Sequence, residues 1–363
     1  MNSSPQVLVY ELICGGGWPI QGGHFTGLMM EALAMLWSTL ADFQRWGRVR
    51  TVTVLDPRLE GVVQGLDRRT LPCDRVAIPA PEMPQAVFSQ LLGESDAALI
   101  IAPETDGHLA RLSEAVLTAG VQLLGSLPEA INIAGDKAEC ARRFFSSGLP
   151  IPRTRIETLS EARQAVEDYG YPLVIKPSDG VGCAGVCLVR CADEADKALE
   201  ELSAVSNCKK ILLQSYIPGT HASLSLLVAG DRMVPLSVNS QLIDPGLPFA
   251  YRGGRIPLQH PLAGRAWEVA REAVRTIPGL RGYIGLDLVL TDEEAWLIEI
   301  NPRLTTTIIG LRQVFPSNLA QAIWESCTPG RLPERIPLRG QVTFYPGNPK
   351  TWFNRPPGQA ITG

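Results

Sequence analysis

The chain has 363 residues, 45% of them hydrophobic, and its 33 basic against 37 acidic side chains leave a net charge of -4. That length exceeds what one core usually organises, so two or three domains are expected. The near balance of charge offers no footprint for nucleic acid or an anionic membrane, and no apolar run approaches a bilayer span, so the expected partners of a cytoplasmic protein are small molecules. The N-terminus lacks the basic start of a signal peptide. Cys14, Cys73, Cys140, Cys183, Cys187, Cys191, Cys208 and Cys327 do not form the paired spacing of a zinc site and read as reduced thiols.

Gln6 to Leu12 reads as a short apolar strand running into Gly15-Gly16-Gly17, followed by a helix from about Thr26 to Trp46 and a strand from Val49 to Leu55. A further strand, Ala97 to Ala102, stops at Pro103. Next come a helix from about Leu109 to Ala119 and a short apolar piece, Val121 to Leu124. This alternation predicts a parallel sheet with ligands beyond the carboxyl ends of its strands, where Gly15 to Gly17, Asp56, Glu104 and Asp106 fall. The glycine triplet does not fit GxGxxG; it either makes a tight turn or faces a ligand, and Glu104 and Asp106 either cap a helix or face the same ligand.

Asp136 caps a predicted helix that ends at Ser147-Gly148, and this puts Lys137 in the first turn. There the helix dipole disfavours a cation, so Lys137 either meets an anionic partner or points into solvent. A strand Tyr171 to Lys176, a loop Asp179 to Gly185 and a strand Val186 to Arg190 follow. Backbone N–H groups in such a loop can meet phosphate oxygens, and Lys176 at the end of a buried strand calls for a counter-charge. Ile211 to Ile217 is the next strand. Ala222 to Val228 and Met233 to Val238 make a hairpin, and Tyr251 to Arg255 reads as a flexible basic loop whose Arg252 and Arg255 could hold a carboxylate or equally form a solvated surface turn.

After a helix from about Ala263 to Thr276 comes YIGLDLVLTDEEAWLIEINPR, residues 283–303. Tyr283 to Leu290 and Ala295 to Ile300 read as a hairpin. A three-residue turn centred on Glu293 would set Asp287 opposite Glu299, with Asn301 on the same face. Two carboxylates opposed in an apolar hairpin call for something positive between them, and hard oxygen donors suit Mg²⁺, with Mn²⁺ as the alternative; the other reading leaves the two carboxylates apart on a solvated face. Arg303, leaving the hairpin after Pro302, is placed for a carboxylate or phosphoryl group. Three threonines, 305 to 307, follow, then a helix from Asn318 to Glu325. A proline-rich arm, expected to pack on the surface, closes the chain.

Lys137 at a helix start, VIKPSDGVGCAGV around Lys176, QSYIPG from Gln214, GLDLVL around Asp287, and EINPR from Glu299 stand in an order that resembles the ATP-grasp superfamily. The resemblance implies an α/β protein: two α+β lobes clamping ATP, preceded by an N-terminal parallel-sheet domain. The expected boundaries are 1–128, 129–208, 209–327 and a C-terminal arm 328–363. It implies ATP contacts from Lys137 and Lys176, from Gly180, Gly182 and Gly185 in the covering loop, and from Gln214, Tyr216 and Ile217 at the adenine hinge. Asp287, Glu299 and Asn301 would hold Mg²⁺; Arg303 would steady the acyl-phosphate, and Arg303 and Lys176 would be the catalytic residues. The superfamily often carries acids where this chain has Gln214 and His221. Within it, VYELICGGG, IAPETDG, YRGG and EINPRLTTTIIGL resemble the tyramine–L-glutamate ligases of methanofuran-type cofactor biosynthesis. That similarity implies a γ-glutamyl amide made from glutamate and tyramine or tyrosine, and implicates Arg252, Arg255, Arg303, Thr305 and Thr306 in substrate binding. Superfamily members are often homodimers. A ligase for other amino acids or dipeptides, and a non-catalytic ATP-binding protein, are the alternatives.

Overall fold

The computed structural model describes residues 4–18, 25–65, 71–80, 83–180, 182–205, 209–334 and 337–352. Cys208, Val181 in the glycine loop and the end of the proline-rich arm lie outside the described residues. Three sheets organise the described residues. The first is parallel throughout, with β1 (Gln6–Glu11), β2 (Arg50–Val54), β3 (Arg75–Ala77), β4 (Ala97–Ile101) and β5 (Gln122–Leu123) in the order β3-β2-β1-β4-β5. Strand order reverses between β1 and β4, so their carboxyl ends frame a crevice. Glu11 ends β1, and Glu104 follows β4 by three residues.

The second sheet is antiparallel: β6 (Thr154–Thr158), β7 (Leu173–Pro177), β8 (Cys187–Val189) and β9 (Lys210–Ser215), in the order β6-β9-β7-β8. The third is also antiparallel. Its strands are β10 (Thr220–Ala229), β11 (Arg232–Asp244), β12 (Ala250–Ile256), β13 (Gly282–Leu290), β14 (Ala295–Asn301) and β15 (Val342–Phe344), in the order β14-β13-β10-β11-β12-β15.

Two readings of the sequence are corrected here. Tyr251 to Arg255 is not a flexible loop but most of β12. Its glycines serve close approach rather than freedom: a Cβ on Gly253 would lie 2.1 Å from the Phe344 carbonyl, and one on Gly254 would lie 2.8 Å from the Phe344 ring. The partner that needs this space is β15, contributed by the proline-rich arm. The arm is therefore more than a surface covering, since Phe344 and Trp352 are fully buried. Gly15 to Gly17 form a turn that closes on its own strand, with Gly15 against the Tyr10 ring and Gly17 against Leu12.

The β13–β14 hairpin buries one face and exposes the other to a cavity. Leu286, Leu288, Leu297 and Ile300 pack with Ala266, Val269, Ala270 and Ala273 of the helix Ala263–Arg275. The turn spans four residues, Thr291 to Glu294, pinned by two hydrogen bonds from the Glu293 and Glu294 amides to the Thr291 hydroxyl. Leu290 therefore pairs with Ala295 and Leu288 with Leu297; a β-bulge at Ile298 then shifts the register, so that Asp287 pairs with Glu299 and Gly285 with Asn301. With the four-residue turn and no bulge, Asp287 would face Ile298 and Glu299 would point the other way.

The long helix Phe25–Trp46 ties the first sheet to the end of the chain. Arg312, in the helix Ile308–Val314, reaches Asp42 at 2.9 Å, with both side chains almost wholly buried, and the guanidinium lies 5.5 Å from the centre of the Trp37 ring. Removing one partner of such a pair strands a charge. Arg312→Ala is expected to cost about 3–5 kcal/mol in denaturant unfolding, whereas the double change Arg312→Met with Asp42→Leu should cost much less.

Candidate active site

All three sheets contribute to one cavity of about 410 Å³. The first sheet supplies Glu11 and the segment after β4, the second supplies Lys176 and the glycine loop, and the third supplies Tyr251, Asp287, Glu299 and Asn301. Gln241, on β11 two strands away from β13, donates from Nε2 to Asp287 Oδ1 at 2.8 Å, and Asn301 Nδ2 donates to Asp287 Oδ2 at 3.2 Å. Burial and the adjacent Glu299 carboxylate push Asp287 up to about 7. Burial acts the same way on Glu299, but Lys137, Lys176 and the hydrogen bond with Asp287 outweigh it and hold Glu299 below the usual carboxylate range.

Lys137 finds its anionic partner in Glu299, at 3.2 Å, and also donates to the Gly180 carbonyl at 2.5 Å. Burial works against its charge, yet Glu299 and Glu104 keep its ammonium above the ordinary lysine value. Lys176 is worse served. Burial, with Lys137 adding to it and Glu299 opposing it, lowers Lys176 to about 8, and its ammonium donates to the Ile298 carbonyl at a long 3.5 Å. The bulged residue thus offers its carbonyl to the lysine of the facing sheet.

Gly180 and Gly182 line the cavity; Gly185 does not, and packs instead on Leu202 and Val205 with φ at +68°. Gln214, Tyr216 and Ile217 line it at the junction of the second and third sheets. The Gln214 amide donates to Thr154 Oγ1 at 2.9 Å. His221 also faces the cavity, with its ring against Phe249. Arg303 is held by Glu104 at 3.0 Å, and Thr305 and Thr306 stand beside it on the wall.

Arg252 and Arg255 do not join this group. Both are exposed, and Arg252 pairs with Asp244 at 3.0 Å. Arg252 alternates with Tyr251, and a register shift between the Tyr251 and Gly253 pairings separates Arg255 from it; Tyr251 turns into the cavity, where its hydroxyl accepts from Thr306 at 3.0 Å. Glu11, Glu31, Gln241 and Tyr251 are cavity residues that reading the sequence for function passed over. A lone glutamate in a Met-, Leu- and Ala-rich helix was the available signal for Glu31; Gln241 had none. Among the described residues no group of three or more His, Cys, Asp and Glu could hold a metal. Two carboxylates and one amide are nonetheless a sufficient protein share for a hard dication that completes its shell with phosphate and water.

A model of the ATP-grasp domain matches residues 134–307, and one of the pre-ATP-grasp domain matches residues 49–131. The chain belongs to the ATP-grasp superfamily. A tyramine–L-glutamate ligase of Methanocaldococcus jannaschii is 32% identical over 220 residues, which take in 60% of this chain and 58% of that ligase. The chain therefore spans less than two thirds of that relative. A protein of Archaeoglobus fulgidus assigned to the ATP-grasp superfamily aligns with a TM-score of 0.63 and 25% identity, covering 91% of this chain and 89% of the other. An L-amino acid ligase from Bacillus licheniformis shares the fold, at a TM-score of 0.62 and 16% identity, over 90% of this chain and 75% of its own. No described helix of this ATP-grasp protein is long and apolar enough to cross a membrane.

One carboxyl at the cavity gives a direct test of burial. Glu11 is raised from 4.5 to about 7, chiefly by burial, against the help of the Cys14 amide 2.6 Å away. The folded state then holds a proton that the unfolded chain releases near 4.5, so stability is lost as pH rises from about 4.5 to 7. Above that range the penalty is on the order of 3 kcal/mol. Glu11→Gln should melt higher than wild type at pH 8, and the gain should shrink toward pH 5 in thermal scans.

Proposed function

We propose that the protein is an ATP-dependent carboxylate–amine ligase that forms an amide through an acyl-phosphate with release of ADP. We further propose that its substrates are L-glutamate and tyramine or tyrosine. The observation that carries the ligase reading is the meeting of Asp287 and Glu299 face to face on the wall of one cavity, with Lys176, the glycine loop and Arg303 around them. Two buried carboxylates held together at the expense of their own repulsion form a site for a dication. Mg²⁺ is the ion this oxygen set suits, and it would supply neutralisation of phosphate charge.

This chain's own residues supply the rest. Lys176, short of partners and lowered toward neutrality, would gain its full charge beside a phosphate. Lys137 neutralises Glu299 from behind. Backbone N–H groups of the loop at Gly180 and Gly182 would cover the transferred phosphoryl group and exclude water. Gln214, Tyr216 and Ile217 would receive the adenine in the crease between two sheets, and Arg303 would hold the carboxylate as it becomes an acyl-phosphate. Its pairing with Glu104 fixes the guanidinium in place through the first sheet, so the N-terminal part positions a group that the C-terminal part provides. The glutamate and tyramine assignment rests on the relative from Methanocaldococcus jannaschii and on Arg303, Thr305 and Thr306, which line the cavity side by side and could hold a carboxylate.

The reading is tested by ADP release from Mg²⁺-ATP and L-glutamate, with and without tyramine or tyrosine, followed by mass spectrometry. A γ-glutamyl amide formed with equal ADP is the expected result; absence of ADP with every carboxylate and amine pair would overturn the ligase reading. Glu299→Gln and Arg303→Ala should each lower kcat at least about a hundredfold. For Lys176→Met the expectation is weaker nucleotide binding. Glu104→Gln should lower kcat about tenfold while ATP affinity stays near wild type, because it loosens Arg303 without removing it.

A further inference from the structure

The wall of the cavity contributed by the long helix Phe25–Trp46 has no part in the nucleotide or metal roles proposed above. Leu28, Glu31, Ala32 and Met35 follow one another at i, i+3, i+4 and i+7, so they share one face of that helix, and all four line the cavity. The Trp18 indole lines the same cavity. Glu31 thus sits as one carboxylate in the middle of an apolar stripe.

Its surroundings leave that carboxylate unanswered. Among the described residues Glu31 has no hydrogen bond and no ion pair. Arg303, Tyr251 and Cys183 stand across from it, close enough for electrostatic influence. Arg303 is the only cation among them, and it is already engaged by Glu104 at 3.0 Å. Burial accordingly raises Glu31 to about 7, with Arg303 offsetting only part of the cost. Glu11 is different, because its carboxylate already accepts from the Cys14 amide. An acidic group kept half-buried in an apolar wall without a partner is costly unless a ligand supplies the positive charge. A single carboxylate that belongs to no cluster of metal-ligating side chains among the described residues suits an ammonium better than a metal ion.

Resting on the ligase reading, we propose that Glu31 binds the ammonium of the incoming amine, and that Trp18, Leu28 and Met35 hold an apolar, aryl or alkyl tail attached to it. The amine subsite then lies on the wall of the N-terminal part, facing Arg303, which holds the carboxylate to be activated. The two substrates would approach the reacting centre from opposite sides of the cavity. Glu31 acts here as a binding residue that selects a primary amine over a neutral molecule of the same shape. The alternative source of an ammonium is the α-amino group of the amino acid whose carboxylate is activated; the apolar stripe disfavours that small, fully polar ligand.

Calorimetric titration of tyramine into the full chain, with a non-hydrolysable Mg²⁺-ATP analogue and L-glutamate present, tests this. Wild type should bind tyramine more tightly than p-ethylphenol, which keeps the ring and lacks the ammonium. Glu31→Gln should weaken tyramine roughly tenfold to a hundredfold, erase the preference over p-ethylphenol, and leave L-glutamate affinity unchanged. In turnover the loss should appear in KM for the amine, with kcat recovered at high amine. Met35→Asn should weaken tyramine and spare methylamine. Tyramine affinity unchanged within twofold in Glu31→Gln, or a loss that falls on L-glutamate instead, would overturn the assignment. Failure of wild type to make any amide would instead sink the ligase reading, and the binding titrations would still report on Glu31.

Discussion

Everything at the centre of this protein depends on two like charges being forced together. Asp287 and Glu299 stand opposite one another on adjacent strands of a hairpin whose other face is dry. Left alone they would repel, and burial worsens the conflict. Asp287 responds by retaining its proton up to about 7, while Glu299 is kept ionised by two lysines. The hairpin tolerates this because Leu286, Leu288, Leu297 and Ile300 bury their faces against a helix, so the cost of the polar face is carried by the apolar one.

The bulge at Ile298 is the backbone device that makes the conflict possible. It brings Glu299 onto the face of Asp287 and leaves the Ile298 carbonyl within reach of Lys176. One inserted residue therefore joins the second and third sheets at the point where both meet the cavity. Lys137 enters from a helix start and closes the same cluster by touching Glu299 and the carbonyl of the glycine loop. The cluster is a network of partial compensations in which each group lacks something that a phosphate and a dication would provide.

The N-terminal sheet completes the cavity rather than merely preceding it. Its strand order reverses beside β1, and the crevice there faces the other two sheets. Glu104 reaches out to fix Arg303, and Thr105 donates to the Asp179 carbonyl at 2.8 Å at the base of the glycine loop. The Arg312–Asp42 pair and the strand added by the C-terminal arm hold this arrangement from the far side. The parts are therefore joined at the cavity as well as behind it.

Much of this was legible in the order of residues, because strand period, helix caps and strand-end lysines are local. The apolar alternation of Tyr283 to Ile300 announced the hairpin, and Asp136 with Lys137 announced a capped helix with a lysine set against its dipole. Asp287 did come to face Glu299, but through a four-residue turn and a bulge rather than through the shorter turn that spacing alone suggested. A bulge arises from the fit of one strand to its neighbour and to a packed helix, so no local pattern encodes it. Gly253 and Gly254 looked flexible for the same reason: the strand that requires their missing side chains lies some ninety residues away. The sequence by itself determined many of the elements and the superfamily, and it proposed a set of candidate site residues. Only the tertiary structure decided which arginines reach the cavity, that Glu104 holds Arg303, and that Glu31 lies on an apolar wall with no ion-pair partner among the described residues, because those facts are distances between segments far apart in the chain.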